Sequence, residues 1–305
     1  MSAGATVTLP WPPSSRSTAI PVLDTVAAYS ELLDEKRACG KTIGVVPTMG
    51  ALHAGHRTLI ERAAAECDVV AVTVFVNPTQ FGDPNDLLAY PRDLDADVAI
   101  AATTGADVVF APAVEEMYPE WPQGSATQVS VPALARRWEG ASRPGHFEGV
   151  CTVVVKLLAA TGRCRAYFGE KDFQQLAIVR RMVSDLLLPA QIVGCETVRC
   201  EDGLALSSRN ERLSEDERAA SLVLSRALRA GAAAWGRGEA AAAVEAEMRR
   251  VVAGEPIASL DYAALVDAAD LEPVDGRTDR PLRLLIAATV GPVRLIDNLD
   301  PQPAG

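Results

Sequence analysis

Histidine is scarce in this chain, with three in 305 residues. Basic side chains are also in deficit: 29 Lys and Arg stand against 40 Asp and Glu, a net charge of −11. That balance excludes nucleic acid or an anionic membrane as the main partner, because both demand a basic face. It does not exclude a nucleotide such as ATP, for which a few local cations suffice. No apolar run approaches the ~18 residues that span a bilayer. The six cysteines are scattered. The nearest pair, Cys195 and Cys200, lacks zinc spacing, so reduced thiols in a cytoplasmic protein are expected. No Ser or Cys nucleophile with a partner base is visible, so no covalent enzyme intermediate is expected. Met1 to Arg16 is rich in Pro, Ser and Thr and lacks an apolar signal core. Residues 1–20 are expected to form a disordered tail.

What is present is ordinary globular material. Hydrophobic residues make up 49% and charged residues 23%, enough chain for a large core and two domains. Two of the three histidines fall in one stretch, Pro47-Thr48-Met49-Gly50-Ala51-Leu52-His53-Ala54-Gly55-His56. The apolar run Ile43-Gly44-Val45-Val46 before it reads as a buried parallel strand. Leu59, Ile60, Ala63 and Ala64 after it recur at helical spacing. The stretch is therefore a strand-to-helix turn carrying glycines and imidazoles. Unpaired N–H groups at a helix start suit phosphate, and an imidazole there can donate to a phosphoryl oxygen as charge develops. Gly50 and Gly55 have P-loop spacing, but His56-Arg57 stands where Lys-Ser/Thr is required, so a P-loop is rejected. Without the flanking strand and helix, a tight turn with two solvated histidines would explain H-x-G-H as well.

Further along, Val22 to Arg37 has a helical pattern. Val69 to Val76 is a central strand ending at Asn77-Pro78-Thr79-Gln80-Phe81-Gly82. Ligands of open α/β sheets gather beyond the carboxyl ends of strands, which favours Asn77 and Gln80. An Asn-Pro turn explains residues 77 and 78 but not Gln80. Asp83 to Arg92 reads as a polar loop. Asp93, Asp95 and Asp97 open a helix, where acids commonly face the dipole. Val108-Val109-Phe110 is a third strand, and a helix runs from about Val150 to Ala160. Ala166-Tyr167-Phe168 is a strand that enters Gly169-Glu170-Lys171-Asp172-Phe173-Gln174-Gln175. Lys171 can supply a point charge for polyphosphate, and Asp172 can cap the helix or hold ribose hydroxyls. Gln175 follows about one turn on. Ile192 to Val198 is strand-like. Leu206-Ser207-Ser208-Arg209-Asn210 suits a triphosphate, although a capped helix start explains it equally well by itself. From Leu213 the pattern changes to Ala-rich helices over Ser214–Ala234 and Glu239–Val252. Strand patterns follow at Leu260–Val266, Leu282–Thr289 and Val293–Ile296.

The expected fold is α/β: a Rossmann-like parallel sheet with helices on both faces over 21–197, then a smaller C-terminal α+β domain over 198–305. The boundary lies near Thr197.

These motifs together resemble the pantoate–β-alanine ligases (pantothenate synthetases), members of the H-x-G-H nucleotidyltransferase superfamily that includes class I aminoacyl-tRNA synthetases. The resemblance covers about residues 20–300. It implies ATP-dependent condensation of (R)-pantoate with β-alanine through pantoyl adenylate, releasing AMP and pyrophosphate, with Mg2+ accompanying ATP. It implies that His53, His56 and Lys171 are catalytic, stabilising the pyrophosphate leaving group. ATP would meet Met49, Gly50, His53, Gly55, His56, Gly169, Glu170, Lys171, Asp172, Val198, Leu206, Ser207, Ser208 and Arg209, with the C-terminal domain closing over it. Asn77, Gln80 and Gln175 would meet pantoate and β-alanine, and Asp97 would lie near the phosphates and Mg2+. The family's Y-P-R matches Tyr90-Pro91-Arg92, making Asp83 to Arg92 a lid candidate, and its M-Y-P matches Met117-Tyr118-Pro119. His146 matches R-P-x-H-F-x-G-V as a site-adjacent residue without an assigned role. Leu206 departs from the family's M-S-S-R-N, the counterpart of the synthetases' K-M-S-K-S. Leucine serves there if that residue offers only backbone or an apolar contact to adenine. A cytoplasmic homodimer is also implied, though no stripe marks the interface. Two other readings are a nucleotidyltransferase stopping at an adenylated product, which the paired glutamine elements oppose, and a non-catalytic nucleotide sensor, which the intact His53, His56 and Lys171 oppose.

Overall fold

A computed structural model describes residues 20–123 and 126–302. Apart from Ile20, the tail expected to be disordered lies outside the described residues. Two compact units emerge. One contains the residues to Phe168 together with Ile178–Cys195; the other contains Gly169–Ala177 together with the residues from Glu196 onward. The short segment Gly169–Ala177 groups with the C-terminal unit because Arg283 and Asn298 of that unit hydrogen-bond it.

The first unit is built on a six-stranded parallel sheet: β1 (Val22–Leu23), β2 (Ile43–Thr48), β3 (Val69–Val74), β4 (Val108–Phe110), β5 (Cys164–Gly169) and β6 (Ala190–Cys195). Their spatial order is β1-β4-β3-β2-β5-β6. Val46 pairs with Val72, Val72 with Val109, and Val45 with Ala166. β3 is buried at every position, and its run VVAVTV is what a strand covered on both faces requires. The helices are α1 (Val26–Ala38), α2 (Ala54–Glu66), α3 (Pro84–Leu88), α4 (Leu94–Thr104), α5 (Val114–Met117), α6 (Pro132–Ala135), α7 (Glu139–Ser142) and α8 (His146–Thr161), with α9 (Phe173–Asp185) divided between the units after Ala177. On one face Leu59 and Ile60 of α2 and Val98 of α4 pack with Val46, Val72 and Val109. On the other, Tyr29 of α1 stacks on Phe110 at 4.3 Å between ring centroids, and its hydroxyl lies 3.0 Å from Thr161 Oγ1 of α8. The chain steps from β2 to β3 and β4 on one side, then crosses to β5 and β6 on the other. The switch point of the sheet is therefore at the carboxyl ends of β2 and β5. H-x-G-H follows the first of these strands, and Glu170-Lys171 follows the second.

The second unit packs α10 (Glu215–Gly236) and α11 (Ala241–Ala253) on an antiparallel sheet of β7 (Ala258–Asp267), β8 (Leu282–Val290) and β9 (Val293–Leu299). Its core includes Leu228, Trp235, Met248, Leu265, Leu284 and Ile286. Ser214 and Glu217 form a capping box that starts α10.

Several expectations need correction. Val22 and Leu23 are an edge strand rather than the start of a helix. Pro21 favours extended chain before it and accepts from Val109 N–H, and the Thr25 side chain caps α1 from Ala28 N–H. Asp83 to Arg92 is not wholly loop. Asp83 caps α3, and Pro84 sits at its first position, a sequence signal for a helix start. β3 stops at Val74, and β7 and β9 run longer than their apolar patterns. Among the described residues no helix is long and apolar enough to cross a membrane.

Candidate active site

The start of α2 is closed by its own histidines. Gly55 N–H donates to His53 Nδ1 at 3.1 Å, and His53 N–H donates to His56 Nδ1 at 3.3 Å. The result is a capping box built from imidazoles. The rings lie 4.2 Å apart. A nitrogen that accepts an N–H carries no hydrogen, so in each neutral ring the hydrogen sits on Nε2. The backbone thus fixes the tautomer that offers an Nε2–H donor at a helix N-terminus. The glycine between them is needed for contact: a Cβ on Gly55 would lie 2.9 Å from His53 Cε1.

The turn ahead of this cap is held from below by Asp97 of α4. Its carboxylate accepts Ala51 N–H at 3.0 Å and Leu52 N–H at 2.7 Å. Ala51 has φ +53°, a left-handed conformation that costs a non-glycine residue on the order of 1–3 kcal/mol and persists only where its surroundings impose it. Gly50 has φ +83°, and a Cβ there would lie 2.7 Å from Asp97 Oδ2. Asp97 is buried, and desolvation raises its pKa against the pull of those two N–H groups. Each Asp97 carboxylate oxygen thus accepts one N–H of the loop. The helix cap in the first turn is Asp93 instead, accepting from Ala96 N–H. Met49 is half-buried beside Gly50, whose N–H reaches Thr48 Oγ1 at 3.1 Å.

The N-P-T-Q turn is a 3-10 helix, Pro78–Gln80, packed on α8. Asn77 is 1% exposed. Its Nδ2 donates to Gln80 Oε1 at 2.9 Å and Gly149 O at 3.1 Å. Its Oδ1 accepts from Tyr118 Oη and Thr79 Oγ1, each at 2.9 Å. Asn77 is thereby filled by protein partners and acts on Gln80. The acceptor end of the buried Gln80 side chain is thereby engaged by Asn77. His146, the site-adjacent histidine, donates from Nδ1 to Gln80 O at 2.9 Å, and its Nε2 accepts from Arg143 at 3.0 Å. Tyr118 holds Asn77 and Arg143 holds His146, contacts that sequence reasoning left unassigned; the only signal was their place in M-Y-P and R-P-x-H.

The expected lid segment is tied within the first unit. Arg92 donates to Leu87 O and Tyr90 O at the end of α3. Tyr90 packs edge-on against Phe81, and its hydroxyl reaches Gly50 O at 3.4 Å.

In the second unit, Lys171, Ser207, Arg209, Asn210 and Asp297 line one cleft. Lys171 Nζ lies 3.5 Å from Asp172 Oδ1. Ser207 caps the 3-10 turn Ser208–Arg212 by accepting from Arg209 N–H, and Leu206 N–H bonds Val198 O at 2.9 Å. Asn210 Oδ1 is a buried acceptor with no protein partner among the described residues. Gln175 is half-buried, while Gln174 beside it is buried. The structure thus gathers the H-x-G-H turn, Asp97, Asn77 and Gln80 in the first unit. The residues of 169–175 and 206–209 belong to the second.

A doubly wound sheet with an imidazole-capped helix at its switch point defines the chain as an α/β protein of the H-x-G-H class. The pattern of the pantoate-beta-alanine ligase family matches residues 21–300. The chain is similar to a pantothenate synthetase of Cereibacter sphaeroides, 52% identical over 279 residues that make up 92% of this chain and 99% of the relative. It is 53% identical to one from Salinispora arenicola over 280 residues, 92% of this chain and 98% of the relative. In structure it is similar to pantothenate synthetase from Thermus thermophilus, with TM-score 0.86 and 46% identity over 93% of this chain and 100% of that one. It is also similar to pantoate-beta-alanine ligase from Francisella tularensis complexed with beta-gamma ATP and β-alanine, with TM-score 0.75 and 34% identity over 94% and 99% of the two chains. The chain belongs to the pantoate–β-alanine ligase family, and as a member it is a ligase that condenses pantoate with β-alanine.

Proposed function

We propose that the chain joins (R)-pantoate to β-alanine in two steps, using ATP. A pantoate carboxylate oxygen attacks the α-phosphorus in line, the bond to the bridging oxygen breaks, and pyrophosphate leaves. The β-alanine nitrogen then bonds the acyl carbon as its bond to the AMP oxygen breaks, with loss of an amine proton. Positioning and charge stabilisation dominate phosphoryl transfer. The observation that carries this reading is the imidazole-built cap: backbone N–H groups hold both Nδ1 atoms, which fixes Nε2–H on His53 and His56 as donors toward a polyphosphate. Lys171 supplies the cation, with Ser207, Ser208 and Arg209 along the triphosphate. The Gln80 amide, held by Asn77, donates to pantoate, with Gln175 as a second polar contact.

Mg2+ is proposed to arrive on the triphosphate. The described residues contain no group of three His, Cys, Asp or Glu side chains able to hold a metal, and Mg2+ commonly binds through phosphates, water and one or two carboxylates. Asp97 is assigned to the loop. A cytoplasmic homodimer completes the proposal and rests on the family resemblance.

The test is AMP formation across a panel of acids and amines. Sustained AMP release should require both pantoate and β-alanine. Pyrophosphate release with pantoate alone, with no AMP formed on adding any amine, would mean that the enzyme stops at an adenylate, and binding of ATP without turnover would mean a sensor. In the expected case, His56→Ala and Lys171→Ala each lower adenylation by roughly 10²–10³ in rate, the cost of losing one donor to developing charge. A folded His56→Ala protein with near-normal adenylation would remove the role assigned to that imidazole.

A further inference from the structure

The last strand of the second unit carries a buried acid and a buried amide just before its final residue, Leu299. Asp297 is 5% exposed and Asn298 2%. Such residues are depleted in strands and costly to bury unless paired. Here every polar atom of the Asn298 side chain is occupied. Nδ2 donates to Glu170 O and to Lys171 O, each at 2.8 Å. Oδ1 accepts from Arg283 Nε at 2.7 Å. Arg283 also reaches Glu170 Oε2 at 2.9 Å and lies over the Phe173 ring at 4.4 Å. The Asn298 backbone is fixed in turn: its N–H donates to Asp297 Oδ1 at 2.7 Å, and Arg199 reaches its carbonyl at 3.1 Å. Arg199 grips both Asp297 oxygens, at 2.6 and 2.8 Å.

We propose that Asn298 and Arg283 are positioning residues that hold Lys171 in its phosphate-binding place, with Arg199 and Asp297 anchoring Asn298. One amide grips two consecutive carbonyls, Glu170 and Lys171, so the backbone of the lysine cannot rotate without breaking a buried bond. The lysine side chain is long and flexible; fixing its root narrows where the ammonium can go. This inference rests on the reading of Lys171 as the phosphate cation.

The variant is Asn298→Asp, nearly identical in shape but with an oxygen facing the two carbonyls. Adenylation rate, KM for ATP and pantoate, and thermal midpoint are measured in Asn298→Asp, Lys171→Met and the double variant. The adenylation rate of Asn298→Asp should fall by about 10- to 10²-fold, the scale of a misplaced catalytic group, with KM for pantoate unchanged. In the Lys171→Met background the same substitution should cost nothing further in rate. A full additional loss in that background would show that Asn298 does not act through Lys171, and a folded Asn298→Asp protein at wild-type rate would also overturn the proposal. Lys171→Met at wild-type rate would instead sink the underlying reading of the lysine. If Asn298→Asp does not fold, Arg283→Met, which keeps the apolar stem over Phe173 but removes both polar contacts, goes through the same cycle with the same outcomes.

Discussion

At the residue scale, His53 caps α2 through Nδ1, and the proposed function gives the same ring a second job, donation from Nε2 to the polyphosphate. Substitution separates them. Asparagine caps helices well, so His53→Asn should leave the thermal midpoint nearly unchanged while adenylation falls by about 10²–10³ in rate. His53→Ala should lose the same activity and a further ~1 kcal/mol of stability. Wild-type adenylation in His53→Asn would reduce the ring to a cap. Asp97 gives a pH signature. Burial raises its pKa above the ordinary 3.8, so in the window above 3.8 the folded state binds more protons than the unfolded one. Its stabilising contribution is complete below that value and is lost as pH rises through the folded pKa. Asp97→Asn has no such titration, and its cost from an N–H facing an N–H is independent of pH. The stability advantage of wild type over Asp97→Asn should therefore shrink with rising pH across that window; a constant difference would contradict it. H-x-G-H was legible because its glycine, histidines and flanking elements are local. The task of Asp97 was not, because its partners Ala51 and Leu52 lie more than forty residues away.

At the element scale, the Pro78–Gln80 turn sits directly on α8. A Cβ on Gly149 would come within 2.5 Å of Thr79 O and 2.7 Å of Gln80 N, backbone atoms that must shift. Gly149→Ala should raise KM for pantoate while leaving KM for ATP near wild type, at a stability cost of about 1–3 kcal/mol. Unchanged pantoate kinetics would show that the turn does not carry the pantoate contact. The long elements of this unit were readable from periodicity: β3 from its unbroken apolar run, α2 from Leu59, Ile60 and Ala63. β1 was missed because two residues carry no period. α3 was missed because polar composition masked the Asp83-Pro84 start.

At the scale of the whole molecule, the change to Ala-rich helices after Leu213 announced a second unit. That Gly169–Ala177 joins it was hidden, since the segment continues from β5 in sequence and its bonds to Arg283 and Asn298 come from over a hundred residues on. In the proposed two-step reaction, the adenylate linking the steps would leave an isotopic trace. The most direct measurement supplies pantoate with 18O in its carboxylate, lets the enzyme and ATP act, adds β-alanine and weighs the products. Because the attacking oxygen bonds the α-phosphorus and departs with it, one 18O is expected in AMP. Label in inorganic phosphate, with none in AMP, would mean an acyl phosphate intermediate and would contradict the adenylate mechanism.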